Sequence, residues 1–472
     1  MESESVSQNA HSSSVKPETV EEQLYAKRQK IYPREVHGHF ATLRVTAIFV
    51  LLSLYFIQPW ILLDERQIVL FDLPARKFYV YWMTFWPKDF LLLAFLLVIA
   101  AFSLFFFTAL AGRLWCGYAC PQTVWTEVFL WVERKFEGTR NQQMKLDKSS
   151  FSGQKLFIKA SKHFIWLFIS FITAFTYVAY FSPAYELLND VFTFSLHPWE
   201  AFWIAFFTFA TYTNAGWMRE QVCKYMCPYA RFQSAMFDKN SLIISYDAER
   251  GEPRGSRKAN ADYKAEGLGD CINCTMCVQV CPTGIDIRDG LQYECIGCSA
   301  CIDVCDDVMT KMNYPTGLIS YTTQNRIEGK QSKLLRPRIF IYSFLLLFFS
   351  SLFIYTIIQR STIDLDIIRD RNQLYRETAG LIENIYTLKL INMDEVAHEF
   401  VISADGIEDM QLLIDKEIII VNGGTVFDLP VRIRADEANL KGRSTELQFT
   451  LTVKDNVEKS ITQKAKFLGP IQ

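Results

Sequence analysis

No histidine falls inside a long apolar run of this 472-residue chain, and only His163 of its six borders one. A transmembrane haem held by two histidines is therefore excluded, and with it a cytochrome b. Cysteine is absent from the last 167 residues. All twelve lie between Cys116 and Cys305, which is not the pattern of a disulfide-stapled secreted domain. Net charge is nearly absent too: 49 Lys plus Arg against 51 Asp plus Glu leave −2, so no basic field invites nucleic acid and no such partner is expected. Residues 1–25 lack the apolar core of a signal peptide, and their Ser- and Glu-rich composition predicts a disordered tail. What the chain has in abundance is grease. Half of it is hydrophobic and 15% aromatic, yet 21% is charged, so oily segments must alternate with polar ones.

The first oily segment, over 45–63, holds 19 uncharged residues, which at about 1.5 Å each nearly match the roughly 30 Å hydrocarbon core of a bilayer. Runs near 90–111, 164–181 and 338–358 read the same way. The run over 201–217 is shorter and carries Thr211, Thr213 and Asn214, whose polar end is expected to face protein. Five spans place the termini on opposite sides. Lys27, Arg28, Lys30, Arg34 and Arg44 precede the first, nine basic residues fill the loop 113–162, and none lies in 182–198. By the positive-inside rule the N-terminus is cytoplasmic, although Arg66, Arg76, Lys77 and Lys88 on the outer side weaken the bias. The stretch 217–338 is then cytoplasmic and the tail from Gln359 exported. Every cysteine falls on or near the reducing side.

Residues 271–281 and 295–305 each read C-x2-C-x2-C-x3-C. Three thiolates on one tight loop reach three irons of a cubane, while the fourth cysteine, expected to begin a short helix, ligates the other cluster. This assigns Cys271, Cys274, Cys277 and Cys305 to one [4Fe-4S] cluster and Cys295, Cys298, Cys301 and Cys281 to a second. Tetrahedral zinc is the minor alternative. Asp306 stands where the pattern has proline, and a different turn is expected there. Ile272, Val278, Val280, Ile296, Ile302 and Val304 supply an apolar shell that limits water. The polar flanks, 238–270 and 306–337, read as solvated linker rather than as a docking face.

Four cysteines remain, in an internal repeat. Arg113-Leu-Trp-Cys116-Gly-Tyr118-Ala-Cys120-Pro121 follows the second span, and Arg219-Glu-Gln-Val-Cys223-Lys-Tyr225-Met-Cys227-Pro228 follows the fourth. If each turn is helical, cysteines four apart share a face and two pairs converge into a four-thiolate site. Such thiolates select Cu(I), zinc or iron–sulfur, or they form a reversible disulfide. Simple packing is the bland alternative. Met218 and Met226 read as packing, and His37 and His39 as interfacial.

The tail over 359–472 alternates at period two between Gly, Asn and Asp turns, as in Leu447-Gln-Phe-Thr-Leu-Thr-Val-Lys, and holds no catalytic cluster, His398 standing alone. The fold class that follows is a multi-domain membrane protein. It has a membrane domain over 26–237, an inserted dicluster ferredoxin-like (α+β) domain over 238–337, and a fifth span over 338–358. A C-terminal all-β immunoglobulin-like sandwich over 359–472 completes it.

Leu70-Phe-Asp-Leu-Pro-Ala-Arg-Lys-Phe-Tyr, the two C-x-Y-x-C-P elements, the run from Cys281 to Cys298 and Leu365-Asp-Ile-Ile-Arg-Asp-Arg-Asn resemble a known family from about residue 28 to the end. It is the cytochrome c oxidase accessory family CcoG, also called FixG or RdxA. The resemblance implies a multi-pass protein of the bacterial inner membrane, surrounded by lipid. Such a protein carries two [4Fe-4S] clusters and reduces Cu(II) to Cu(I) for assembly of cbb-type cytochrome c oxidase. It implies Cys116, Cys120, Cys223 and Cys227 as the copper-handling site, and oxidase assembly factors, a copper-transporting ATPase or a copper chaperone as partners. A homodimer is left open. The alternatives are a quinol-linked electron relay resembling the NapH and NosR membrane ferredoxins, and a non-enzymatic assembly scaffold.

Overall fold

The computed structural model describes residues 30–63, 66–229, 232, 236–258, 262–370, 373–378, 380–454 and 456–470, so the tail expected over 1–25 lies outside the described residues. The chain divides into two compact units. One comprises Met1–Leu51, Phe107–Ser170 and Phe209–Leu334; the other comprises Leu52–Phe106, Phe171–Thr208 and Leu335–Gln472.

Among the described residues four helices are long and apolar enough to cross a bilayer: His39–Trp60, Pro87–Ala111, Gly153–Val178 and Pro337–Ile358. At most 22% of any of these apolar windows is buried inside the protein, so lipid must cover the rest and the chain is a membrane protein. Their α-helical parts are α1 (His39–Ile57), α2 (Phe90–Ala111), α6 (Gly153–Val178) and α11 (Pro337–Ile358). Because α6 starts well before the apolar run at 164, His163 lies inside that helix rather than at its border, with a nitrogen 2.9 Å from the Tyr212 hydroxyl. His39 is likewise the first residue of α1.

The run over 201–217 departs from a simple span. It is α-helical over α8 (Pro198–Thr211) and widens into a π-helix over Tyr212–Met218, closed by an Arg219 N–H to the Asn214 carbonyl at 2.8 Å. The Gln122 amide donates to the carbonyls of Asn214 (2.9 Å) and Arg219 (3.2 Å), satisfying groups that the wider turn displaces.

In the unit that begins at Met1, α2 leads into the short α3 (Leu114–Tyr118) and the amphipathic α4 (Pro121–Glu137). Pro121 at the first position and Gly138 at φ 81° bound α4 as helix chemistry predicts. Helix α5 (Arg140–Lys148) follows through a capping box of Thr139 and Gln142. The segments flanking the eight-cysteine run are structured and not solvated linker. Strand β4 (Ile243–Tyr246) pairs antiparallel with β5 (Ile319–Thr322), and buried Ile244, Tyr246, Leu318 and Ile319 close a core around Cys271 and Cys277. Helices α9 (Met276–Gln279) and α10 (Ala300–Lys311) complete this module.

In the unit that ends at Gln472, the connection between α1 and α2 is a meander of β1 (Val69–Asp72), β2 (Lys77–Val80) and β3 (Met83–Phe85). Two of its four basic residues are paired: Arg66 with Glu395 at 2.9 Å and Lys88 with Asp364 at 3.1 Å. The Arg360 guanidinium, just after α11, bonds both carboxylate oxygens of Asp89 at 3.1 and 2.6 Å. The rest of this unit is a sandwich. One sheet runs β10 (Gln411–Leu413), β12 (Val426–Ala435), β8 (Leu381–Asn392), β6 (Ile363–Arg369), with β7 (Arg376–Thr378) beside β8. The other runs β11 (Ile418–Val421), β9 (His398–Asp405), β13 (Ser444–Val453), β14 (Asn456–Leu468). Alternation along β13 buries Leu447, Phe449 and Leu451 against Tyr386, Leu388 and Phe400. Burial of each is worth about 1.5–3 kcal/mol. His398 is not alone: its Nε2 lies 3.1 Å from Asp394.

Candidate metal centres

The two C-x2-C-x2-C-x3-C loops adopt one backbone conformation. Asn273 and Thr275 in the first, and Gly297 and Ser299 in the second, all have φ between 53° and 68°. The left-handed residues stand on either side of each second cysteine and curl the loop inward. For Thr275 this conformation carries strain, which the surrounding packing must hold. The helix in each half starts just before the third cysteine, at Met276 and Ala300, and not at the fourth. The difference between the halves is then simple. Pro282 disfavours helix at Cys281, and α9 stops at Gln279. With Asp306 in the corresponding place, α10 runs through Cys305 to Lys311, and Asp306 accepts an N–H from Gly317 at 2.8 Å.

Cys305 and Cys301 have different electrostatic neighbours. Cys305 feels Cys277, Cys274 and Cys271. Cys301 feels Cys298, Cys295 and Cys281 foremost, and Cys277 after them. Burial pushes the thiol of Cys277 up to about 11 and those of Cys298 and Cys305 up to about 12, with Cys295 and Cys301 raised as well. Buried thiols of this kind favour a bound cation over a bare thiolate, and metal binding expels their protons. Among the described residues no three His, Cys, Asp or Glu side chains stand within reach of one ion. The same holds for Cys116, Cys120, Cys223 and Cys227, so an ion bound there would have to draw the thiols together. Two C-x2-C-x2-C-x3-C loops supply the eight thiolates that a pair of [4Fe-4S] clusters takes. The donor set fits the cluster. Cys281, Cys295, Cys298 and Cys301 line a common cavity with Ile285, Ile287 and Ile296, and Cys277 of the other cluster's set borders it too. Val280, Ile296, Ile302 and Val304 are buried, whereas Ile272 and Val278 are half-buried. Cys274 alone of the eight is exposed.

The C-x-Y-x-C-P elements also repeat in three dimensions, but not as two cysteines on one helical face. Cys116 sits in α3 and Cys223 in a π-turn over Val222–Met226, while Cys120 (ψ 127°) and Cys227 (ψ 112°) are extended. The cause is the following proline, which pushes the preceding residue out of the helical region. The four thiols nevertheless share one field. Burial, followed by Cys120, raises Cys116 to about 12, with Cys223 and Cys227 adding to the rise; burial and then Cys120 likewise raise Cys223 to about 12.

Several residues at this site were not assigned a role from sequence. Arg113, 7% exposed, pulls down the thiols of Cys116, Cys223 and Cys295, and so serves both kinds of site. Its place at the head of the first repeat, matching Arg219 in the second, was the available signal. Arg219 bonds Glu133 at 2.9 Å, and Glu133 also meets Lys162 and Lys30 at 3.3 Å. The first element touches the second cluster loop directly. A Cβ on Gly117 would stand 2.7 Å from the Gly297 carbonyl oxygen and 3.0 Å from the Cys298 Cα. Beside it the Tyr118 hydroxyl donates to Ser299 (3.3 Å), Ser299 to the Tyr321 hydroxyl (2.6 Å), and Tyr321 to the Gly297 carbonyl (3.0 Å).

Family models agree with this layout. A 4Fe-4S dicluster domain matches residues 218–324, a 4Fe-4S binding domain matches 93–138, and the IG-like fold at the C-terminal of FixG matches 353–470. The first two ranges take in both C-x-Y-x-C-P elements. Among relatives, protein RdxA of Cereibacter sphaeroides is 38% identical over 431 residues, 88% of this chain and 89% of its own. Protein RdxB of the same organism is 40% identical, covering 84% and 87%. Nitrogen fixation protein FixG of Rhizobium meliloti is 37% identical, covering 78% of each.

Proposed function

Because the chain belongs to the FixG/RdxA family of membrane iron–sulfur electron-transfer proteins, we propose that it reduces Cu(II) to Cu(I) for assembly of a cbb-type cytochrome c oxidase. The substrate ion is taken by Cys116, Cys120, Cys223 and Cys227. The observation that carries this reading is the contact of Gly117 with Gly297 and Cys298, which sets the four-thiol site against a cluster-binding loop. Thiolates prefer the cuprous ion, so a site of this composition favours the reduced product.

Two [4Fe-4S] clusters, when bound by the eight ferredoxin cysteines, supply one-electron transfer. The protein's own residues do the rest. Arg113 offsets the negative charge that accumulates when several buried thiolates share a metal. The Tyr118–Ser299–Tyr321 chain holds the cluster loop against the thiol element. Burial of the flanking Val280, Ile302 and Val304 keeps water from the sulfurs.

In the arrangement we favour, α8 and the π-helix after it form a fifth span over Pro198–Met218. The N-terminus and the dicluster module then face the cytoplasm, and the sandwich is exported. The nine basic residues over 113–162 against none over 182–198 support this orientation. Oxidase assembly factors, a copper-transporting ATPase or a copper chaperone are the partners for the product.

A second reading has one specific support: family models described by 4Fe-4S binding cover both C-x-Y-x-C-P elements. In it the four thiols hold a further cluster. Anaerobic purification with metal analysis separates the two. About eight irons per chain, by the stoichiometry of two cubanes, accompany the copper reading, and about twelve the other. A variant with Ser at all four positions should lose copper binding and Cu(II) reduction while keeping the eight irons. Unchanged copper chemistry in that variant overturns the assignment.

A further inference from the structure

A cavity of about 480 Å³ lies between the start of α1, α4 and the second cluster loop, all within one unit. That is the size of an ordinary small-molecule site, for which the span is about 300–1,000 Å³. Its walls differ sharply. Val45 and Ile48 of α1 and Trp131 of α4 make one side apolar, and Val45 (63% exposed) and Trp131 (59%) open it where α1 enters the bilayer. The other side is polar, with Gln122, Thr126 and the Tyr118 ring standing among arginine and glutamate side chains. Both Cys223, from the four-thiol set, and Cys298, from a cluster loop, border the same space.

We propose that this cavity binds a membrane hydroquinone, the electron donor for the reduction proposed above. The inference rests on that reading for its purpose, though not for its test. An amphipathic ring with an isoprenoid tail matches a cavity whose apolar mouth meets lipid and whose inner wall offers hydrogen-bonding groups, Gln122 and Thr126 among them. Gln122 spends its amide N–H groups on Thr126, Asn214 and Arg219, and its carbonyl oxygen accepts no hydrogen bond among the described residues. That oxygen suits a hydroquinone hydroxyl. A phospholipid headgroup finds less, because three of the four arginines on the wall are engaged, the fourth being Arg34, which is exposed and donates to the Met276 sulfur. Arg134 bonds Glu127 at 2.8 Å, Arg219 bonds Glu133 at 2.9 Å, and Arg44 donates to the Cys298 carbonyl. Oxidation of one hydroquinone to the quinone releases two electrons, which balance the conversion of two Cu(II) to two Cu(I). Its two protons leave to water past the Glu127 and Glu220 carboxylates on the wall.

The test uses the full chain in detergent without added copper, so that its outcome is independent of the copper assignment. A photoreactive azido-benzoquinone with a ten-carbon tail is the probe. It should label peptides within 33–48 and 117–134, with labelling suppressed by excess decyl-benzoquinone but not by excess phosphatidylglycerol. Thr126→Phe, which fills the cavity, and Thr42→Trp, at its exposed rim, should each lower labelling about tenfold, the loss that follows when about 1.4 kcal/mol of binding disappears. Both variants are compared with the parent at matched iron content and thermal stability. Labelling confined to other helices, labelling unchanged in both variants, or equal suppression by phosphatidylglycerol overturns the proposal.

Discussion

Gly117 and Gly297 meet backbone to backbone: a methyl group on the first would sit 2.7 Å from the carbonyl oxygen of the second. Neither partner is the end of a flexible side chain, so the contact cannot give way cheaply. Gly117→Val should push the first C-x-Y-x-C-P element off the cluster loop at a cost of about 1–3 kcal/mol, the usual penalty for overpacking. The clusters keep their eight ligands, so iron content should hold while Cu(II) reduction falls. Metal analysis beside a reduction assay reads both quantities in one preparation.

Asp306 is where the two ferredoxin halves part. In the first half Pro282 ends the helix, whereas α10 continues through Cys305 and Asp306 to Lys311. Asp306→Pro would restore the symmetric pattern in sequence and yet harm this fold. It removes an N–H from the helix interior and clashes with the carbonyl one turn back, at about 3 kcal/mol or more. It also deprives Gly317 of its acceptor. The expected result is a lower melting temperature and fewer than eight irons per chain, whereas Asp306→Asn should keep the helix and lose little.

These two residues show what was legible beforehand. The cysteine spacing marked both loops, and Asp306 was visible as a departure, but the length of α10 depended on a missing proline whose effect is felt several residues on. The paired C-x-Y-x-C-P elements were likewise plain as a repeat. That the second cysteine of each leaves the helix follows from Pro121 and Pro228 by a local rule that the helical-face argument overlooked. The π-helix over Tyr212–Met218 could not be read locally, because Gln122 and Glu133, 86 to 97 positions earlier, supply the bonds that hold Asn214 and Arg219. The polar flanks of the cysteine run misled for a related reason: β4 and β5 are four residues each and find each other across more than 70 positions. Short strands paired at that distance leave little periodic signal.

Phe449, fully buried between the two sheets, packs edge-on to Tyr386 with ring centroids 5.4 Å apart. Phe449→Ala should cost about 3–5 kcal/mol. Hydrogen exchange is the direct readout, since a loss of about 3 kcal/mol raises the open population more than a hundredfold. Protection should fall across β8, β9 and β13. The cysteine-rich loops belong to the other unit, so iron content should not change.

The last prediction concerns acid. Burial alone would raise the Glu133 carboxyl, but Arg219, Lys30 and Lys162 outweigh it and hold the group at about 2, against an ordinary value near 4.5. A depressed acid stabilises the fold fully above its unfolded value and loses that contribution as pH falls toward the folded one. Stability should therefore be flat above about pH 5 and decline between about pH 4.5 and 2, by at most about 3 kcal/mol from this group. Glu133→Gln removes the anion from among three cations and should cost about 3–5 kcal/mol at neutral pH. The same variant should flatten the acid limb, because the titrating group is gone. Thermal unfolding of both proteins across that range decides the matter: a parent and a variant that lose stability in parallel would show that Glu133 does not govern the acid response.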